Sequence, residues 1–307
     1  MTKQSFKYMS PADGFQDPDR EGVDAPDTAR AVVIPFGLEA SVSYGGGTGR
    51  GPAAILAASQ QLELFDEELW REPYLEFGIA TLQAPQVGSG VEVALTQLEQ
   101  IVDGVLDQQR FPLVLGGEHS LTAGAIRPFT RRHYELVVLQ IDAHADLRDG
   151  YLGEHYSHAS AMRRVLDHAN CRVVACGIRA ICQAEADYID ANPDRVDIYW
   201  AHEQNSWNME PLFQALKDRQ IYVTFDIDGL DGAEMPATGT PTPGGLSFWR
   251  ALELVRVAAS AGTIVGADVV ELSPIAGFHA YDYTAAAVAN KILNYALSGT
   301  TVRRDQS

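Results

Sequence analysis

Residues 136–146 read LVVLQIDAHAD, an almost wholly apolar run followed by acids and a histidine that alternate with alanine. A continuous apolar run such as Leu136–Ile141 is typical of a β-strand covered on both faces, as in a parallel sheet. Similar runs recur along the chain, separated by segments whose apolar residues follow helical spacing. This alternation predicts an α/β fold with a mostly parallel central sheet, although it leaves the strand order open.

The same patterns predict the individual elements of one large domain. Further strands are expected at Ala31–Phe36, Phe111–Leu115, Arg172–Cys176, Val196–Tyr199, Ile221–Phe225 and Ile264–Val270. Helices are expected from Gly51, over Val91–Gln109, up to Ala125, and at Ser157–Asp167, Ala184–Ala191, Glu210–Asp218, Phe248–Ala261 and Thr284–Leu297. Residues 1–30 are polar and predict an extended N-terminal arm, whereas residues 31–303 predict a single domain.

Composition narrows the classes of protein to consider. The 307 residues are 46% hydrophobic and 21% charged, which is ordinary for a globular protein. With 41 acidic and 23 basic residues, the formal net charge of −18 argues against nucleic acid or an anionic membrane as partner. No apolar run approaches the ~20 residues of a membrane-spanning helix. The three cysteines do not predict a disulfide framework, so we expect a cytoplasmic protein.

Chemically reactive side chains follow the predicted strands. In parallel α/β folds, ligands bind beyond the carboxyl ends of the strands, so these residues are expected to converge. They are His119, Asp142, His144, Asp146, Asp226, Asp228 and Glu271. Several carboxylates in one crevice would repel each other and take up protons, a conflict that divalent cations remove.

The ligand types favour a particular metal. Carboxylates with some imidazole suit a hard or borderline ion such as Mn²⁺, and six ligands exceed what one tetrahedral zinc needs. Bridging carboxylates could hold two ions ~3.5–4 Å apart, the usual hydrolytic arrangement. Singly, each residue has a simpler interpretation, because an Asp at a helix start is usually a cap. Taken together, the six favour a dinuclear metal site.

Three motifs, GGEHS, DAHAD and FDIDGLD followed by ATGTPTPGG, occur in this order. They resemble the ureohydrolases, a family of arginases, agmatinases and their relatives. The resemblance runs from about Pro35 to Ala296 and implies a three-layer α/β/α sandwich, arginase-like in architecture. It also implies a homotrimer or homohexamer that hydrolyses a guanidino compound to urea and an amine.

The resemblance implies a role for each motif residue. One Mn²⁺ would be held by His119, Asp142, Asp146 and Asp226, and the other by Asp142, His144, Asp226 and Asp228. Glu271 would receive the substrate guanidinium, and His158 would shuttle protons. We further expect Asp146 to orient the attacking water through its unligated oxygen.

The chemistry of the substrate tail is predicted from the segment that follows the DAHAD motif. The Asn and Ser that arginases use to hold the α-carboxylate of arginine have no clear match here, and Arg148 stands near the expected Asn. Agmatine, a cationic guanidino compound converted to putrescine and urea, is therefore the first candidate. Asp149 or Glu154 could attract its distal charge.

Alternatives remain open at this stage. Guanidinobutyrate would suit Arg148 better, and guanidinopropionate, arginine or free guanidine (with nickel as the metal) are further substrates. A non-catalytic metal-binding regulator is a candidate from another class. A dinuclear phosphoesterase is disfavoured, because no Arg or Lys cluster surrounds the motifs.

Overall fold

The computed structural model describes residues 5–16 and 26–300. The strands of this part are β1 (Ala31–Phe36), β2 (Ile79–Thr81), β3 (Phe111–Gly116), β4 (Leu136–Ile141), β5 (Cys171–Ile178), β6 (Val196–Trp200), β7 (Gln220–Asp226) and β8 (Thr263–Val270). Its helices are α1 (Gly51–Ser59), α2 (Tyr74–Phe77), α3 (Val91–Asp107), α4 (Thr122–Ala125), α5 (Arg127–Arg132), α6 (Ala161–Leu166), α7 (Gln183–Ala191), α8 (Met209–Leu216), α9 (Phe248–Ala261) and α10 (Ala280–Ser298). No helix in these ranges is long and apolar enough to cross a bilayer.

The strands form one sheet in the order β2-β1-β3-β8-β7-β4-β5-β6, and every pairing is parallel. This confirms the parallel α/β fold and supplies the strand order that the sequence left open. The late strands β7 and β8 lie between the earlier strands β3 and β4. The four strands that precede the predicted site residues are therefore direct neighbours, and their carboxyl ends meet at one edge of the sheet.

Side chains of β4 show why the sheet needs cover on both faces. Val137, Leu139 and Ile141 join one buried apolar cluster, and Leu136 and Val138 join another. Helices α1, α8, α9 and α10 pack in the first cluster, and α3 to α7 pack in the second. Because successive strand residues point to opposite faces, this arrangement gives the predicted three-layer sandwich.

The structure differs from the sequence prediction mainly in short elements. Predicted strands end within two residues of the observed ones, but β2 was not predicted, because three residues carry no usable periodicity. The short helices α2 and α5 were not predicted either, because four and six residues also carry little periodicity.

The described part of the predicted arm packs on its own chain. The backbone N–H of Met9 donates to the carbonyl of Thr81 (2.8 Å) beside β2, Phe15 is fully buried, and the Gln16 amide donates to Asn290 (2.9 Å). Residues 1–4 and 17–25 of the arm, and residues 301–303 of the predicted domain, lie outside the described residues.

Candidate metal centre

The predicted ligands meet in a cavity of about 330 Å³ at the carboxyl edge of the sheet. The residues after β3, β4, β7 and β8 each contribute side chains to it, and Asp142 lies fully buried beneath its floor. The predicted site residues that line it are His119, His144, Asp146, His158, Asp226, Asp228 and Glu271. The fold therefore brings these seven residues into one place.

His119 is the centre of one group of possible metal donors. Its Nδ1 lies 2.9 Å from Asp146 Oδ2, 3.2 Å from Asp142 Oδ2 and 3.4 Å from Asp226 Oδ2. This buried nitrogen has no well-aligned hydrogen-bond partner among the described residues. His119, Asp142 and Asp146 thus form one group that could hold a metal ion, and Asp226 lies beside it.

His144 is the centre of a second group. Its Nδ1 lies 3.1 Å from Asp228 Oδ2 and 3.7 Å from Asp142 Oδ1. Asp142 thus turns one carboxylate oxygen toward each histidine. This is the geometry required of a carboxylate that bridges two ions, and the residues fit a dinuclear site of hard or borderline metals.

The charges of the cluster are unbalanced without cations. Burial, together with the charge of Asp142, raises the pKa of Asp146 to about 7 and that of Asp226 well above its usual value. Burial also acts to raise the pKa of Asp142, but the neighbouring His119 and His144 imidazoles outweigh it and lower that pKa. The metal-free cluster therefore holds protons near neutral pH that bound cations would displace.

The backbone does not stay extended after β4 and β7. An extended chain would point Asp142, His144 and Asp146 to one face, but Asp146 has a φ of 53°, which is rare for a residue with a side chain. After β7, residues 227–229 form a 3-10 turn, and the Asp228 N–H donates to Asp226 (2.8 Å). The carboxylates still converge, but turns aim them rather than the alternation of an extended strand.

A buried polar network holds the far side of His119. Its Nε2 lies 2.8 Å from Thr224 Oγ1, which donates to Asp268 Oδ1 (2.6 Å). Asp268 Oδ2 also accepts from the hydroxyls of Tyr222 (2.8 Å) and Thr122 (2.9 Å). Because Thr224 gives its only proton to Asp268, it accepts one from His119 Nε2, which leaves the Nδ1 lone pair for a metal. Sequence reasoning missed Asp268, although an acid within the buried run of β8 is a usable signal.

Arg179 braces the loops on the other side of the cluster. Its guanidinium donates to the carbonyls of Asp228 (2.7 Å), Leu230 (3.0 Å) and Thr242 (2.7 Å). It thereby ties the end of β5 to the loop that carries Asp228. No local pattern in the sequence marks this contact.

Glu271 follows β8 with a φ of 65°, a second left-handed residue at the site. Its Oε1 accepts from the backbone N–H of His119 (2.7 Å), and its own N–H donates to the Gly117 carbonyl (2.8 Å). Burial raises the pKa of its carboxyl to about 8. Strained residues that persist at a pocket are held there by their surroundings, which points to function at Asp146 and Glu271.

The acids expected to meet the substrate tail lie elsewhere. Asp149 is exposed and pairs with the Arg164 guanidinium (2.6 Å), and Glu154 accepts from the Tyr156 N–H (2.9 Å). Neither lines the cavity. The distance of these acids from the cavity reflects the course of the loop, which Arg164 anchors outward.

A different acid, Glu185 of α7, lines the cavity, and its side chain is buried. This carboxylate accepts from the N–H groups of Leu147 (3.0 Å) and Cys182 (2.8 Å). Arg148 lies 3.8 Å from it and stacks over the Tyr151 ring, 4.7 Å from the centroid. Sequence reasoning missed Glu185, because it lies on α7, outside the motifs that follow the strands.

The chain is similar to several known proteins in sequence and in fold. A sequence model described as the arginase family matches residues 29–298. An N(1)-aminopropylagmatine ureohydrolase from Synechocystis is 36% identical over 285 residues, covering 90% of this chain and 92% of the relative. An agmatinase from Bacillus cereus is 32% identical over 261 residues, covering 81% and 85%. The crystal structure of an agmatine ureohydrolase from Thermoplasma volcanium has a TM-score of 0.79 at 27% identity, covering 95% of this chain and 94% of that chain.

Proposed function

The chain belongs to the arginase family, and we propose that it hydrolyses agmatine to urea and putrescine. The observation that carries the proposal is the shared cavity. Glu271, suited to a guanidinium, lines the same 330 Å³ space as the clustered carboxylates and His158. A cationic guanidino compound also suits the acidic character of this pocket.

We assign two Mn²⁺ ions to the site, held by His119, Asp142, His144, Asp146, Asp226 and Asp228. When bound, such ions lower the pKa of water from 15.7 toward about 7 and so supply a nucleophile at neutral pH. Asp142 would be shared between the two ligand sets, and Asp226 would join the ligands around His119. The support for this assignment is the pair of donor groups around His119 and His144.

The protein's own side chains orient the substrate. Glu271 binds the planar guanidinium through charge-assisted hydrogen bonds, and the His119 N–H holds that carboxylate in place. The free oxygen of Asp146 accepts a hydrogen bond from the attacking water. Holding water and guanidinium carbon together makes the attack an oriented, effectively unimolecular step.

His158 provides the proton that the leaving amine needs. It stands half-buried in the cavity wall, and burial lowers the pKa of its imidazole from the usual value. A proton donor with a pKa near or below neutrality transfers its proton readily to an amine. The tetrahedral intermediate then collapses to urea and the protonated amine.

We place the tail beside Glu185 and Arg148, which both line the cavity. Because Arg148 is paired with Glu185 and stacked on Tyr151, its charge does not demand an anionic tail. N(1)-aminopropylagmatine is the second candidate substrate. It is favoured by the 36% identity to a relative with that named activity.

The test is urea release by Mn²⁺-loaded protein, with a chelator-treated control. Agmatine, N(1)-aminopropylagmatine, arginine, guanidinobutyrate, guanidinopropionate and guanidine are compared in parallel. Metal-dependent urea release from agmatine supports the proposal. Urea release from another compound alone would keep the proposed reaction but change the assigned substrate. Glu271→Gln is expected to keep its metal and lose on the order of 10²-fold in kcat/KM, since one partner of a buried charge pair is worth about 2–5 kcal/mol.

No urea from any compound, with metal bound, would contradict the proposal and favour a regulatory protein. If guanidine alone reacts, nickel loading is the next measurement.

We also propose a homotrimer or homohexamer in a reducing cytoplasm. The three cysteines are free, and Cys171 and Cys176 are buried, as a protein without disulfides requires. Light scattering after size exclusion measures the assembly. A monomer near 33.4 kDa would contradict the oligomer.

A further inference from the structure

Two segments that are far apart in sequence lie against each other beside the cavity. The N–H of Glu118 donates to the Leu38 carbonyl (2.8 Å), and that of Gly117 donates to the Phe36 carbonyl (3.1 Å). Any side chain on Gly117 would lie 1.9 Å from the Leu38 oxygen, so this close approach needs glycine. The loop after β1 is thereby fixed directly over Glu118.

Glu118 is fully buried, and four donors surround its carboxylate. Oε2 accepts from the N–H groups of Ala40 (2.5 Å) and Ser41 (2.6 Å). Oε1 accepts from the hydroxyls of Ser41 (2.8 Å) and Ser120 (2.6 Å). An ionised carboxylate only accepts hydrogen bonds, so the Ser41 hydroxyl proton is committed to Glu118.

The two lone pairs of Ser41 Oγ then face His158. The His158 backbone N–H donates to Oγ at 2.9 Å, and the ring Nδ1 lies 3.1 Å from the same oxygen. A hydroxyl that has given its proton away can only accept from Nδ1, so that nitrogen must carry a hydrogen. Nε2 is left with its lone pair, and the hydroxyl of Ser43 lies 3.3 Å from it.

We propose that Glu118 and Ser41 form a positioning relay that holds neutral His158 in the tautomer protonated at Nδ1, so that Nε2 takes up and delivers the catalytic proton. The inference rests on the proposed role of His158 in guanidino hydrolysis. In the transfer, the Nε2–H bond of the imidazolium breaks and the amine nitrogen takes the proton. The ring keeps its Nδ1 hydrogen throughout.

The charges around the imidazole are consistent with this relay. Burial lowers the pKa of His158 most, and protonation of His119 and His144 in the metal-free cluster would lower it further. The Glu118 carboxylate acts in the opposite sense and raises it. Tyr151 presents its ring edge-on at 6.1 Å, and Ser157 Oγ lies 3.4 Å from Nδ1. Glu118 is the one carboxylate among these groups, and Ser41 is the hydroxyl that links it to the ring.

The chain offers a matched pair of variants. Ser41→Ala removes the link between carboxylate and imidazole, whereas Ser120→Ala removes a hydroxyl from the same Glu118 oxygen without touching His158. For Ser41→Ala we expect kcat to fall about tenfold to a hundredfold, part of the effect of a general acid, with little change in KM. The alkaline limb of its kcat profile should move to lower pH, because the imidazolium loses an acceptor. Ser120→Ala should keep kcat within about twofold and the limb unchanged.

Equal effects of the two substitutions, or a fall in kcat with no movement of the limb, would reduce Ser41 to a structural residue. A second measurement uses the protein with Glu118 and Ser41 unchanged. Nitrogen-15 spectra of the intact Mg²⁺-loaded protein, with the His158 signal identified from His158→Ala, show which ring nitrogen carries hydrogen at high pH. Hydrogen on Nε2 would overturn the relay. This readout stands even if no guanidino compound yields urea, in which case the proposed function fails separately.

Discussion

The floor and the mouth of the cavity are built in different ways. At the floor, His119 and Asp142 are 1% and 0% exposed, and each side chain contacts several partners contributed by neighbouring strands. At the mouth, Tyr44 is 85% exposed, and Arg148 is held by one carboxylate and one ring. The floor is rigid because the sheet fixes it, whereas the mouth depends on loops. The difference indicates that the chemistry is determined by strand ends and the choice of substrate by loops.

The largest expected effect comes from breaking the floor. Asp226→Asn keeps the shape of the side chain but removes the negative charge that faces His119 Nδ1. We expect loss of bound Mn²⁺ and a fall in kcat/KM on the order of 10³-fold or more, because the ions contribute several kcal/mol to catalysis. Metal analysis of the purified protein and urea release measure the two effects.

Asp231→Asn is the matched control for this prediction. Asp231 follows in the same loop, but its carboxylate accepts from the N–H groups of Gly244 (2.6 Å) and Gly245 (2.8 Å) and does not line the cavity. It should retain metal and most of the activity. Equal metal loss in both variants would show that loop stability, not ligation, explains the effect.

A smaller effect is expected from the buried polar network that contacts Nε2 of His119. Asp268→Asn weakens the acceptor that orients Thr224 and, through it, His119. Groups that orient a metal-bound histidine typically affect metal affinity by about 10–100-fold, which competitive chelator titration can measure. Tyr222→Phe removes one donor to the same carboxylate but leaves the Thr224 contact. The loss of metal affinity should therefore be several-fold smaller than for Asp268→Asn. A similar loss of metal affinity in both variants would contradict the orientation of His119 through Thr224.

The charge imbalance of the floor should also appear as pH-dependent stability. The native pKa values of Asp146 (about 7) and Glu271 (about 8) are raised above the unfolded values of roughly 4. Between these limits the native state binds more protons than the unfolded state, so metal-free protein loses stability as pH rises. Bound Mn²⁺ would replace the proton on Asp146, and its charge would favour the ionised form of the nearby Glu271. The Tm difference between loaded and metal-free protein should therefore widen from pH 5 to pH 8 in calorimetry, and a constant difference would contradict the assigned cluster.

What the sequence predicted well is local. Asp142, His144 and Asp146 directly follow a continuous apolar strand, so the fold class places all three at the carboxyl edge of the sheet, although turns aim their side chains. The roughly correct strand bounds have the same origin, because buried runs of β4 and β7 are long and continuous. The expected family was predictable from short motifs whose order is specific.

What the sequence did not predict depends on distant contacts. Ser41 and Glu118 are hydrogen-bonded although 77 positions separate them in sequence. Glu185 of α7 accepts a hydrogen bond from Leu147, 38 positions earlier in the chain. Asp149 is drawn away from the cavity by Arg164, a pairing that charge composition alone does not indicate. Such contacts depend on how loops cross the sheet edge, and loop paths leave no periodic signal.

The smallest expected effect tests the mouth alone. Arg148→Met keeps an apolar stem over the Tyr151 ring but removes a positive charge from the cavity wall. A partly exposed charge pair is worth about 0.2–1 kcal/mol, so the KM for agmatine should fall up to about fivefold, and less at high salt. The KM for guanidinobutyrate, with its anionic tail, should rise. The kcat should not change for either compound, since the floor is untouched.

The control for this last prediction is Arg163→Met. Arg163 also stacks on a tyrosine, 3.9 Å from the Tyr188 centroid, but it does not line the cavity. Its removal should leave both KM values unchanged. If Arg148→Met shifts the two KM values in the same direction, the mouth acts through shape rather than charge. If it lowers kcat instead, floor and mouth are coupled, and the separation between chemistry and substrate choice fails at Arg148.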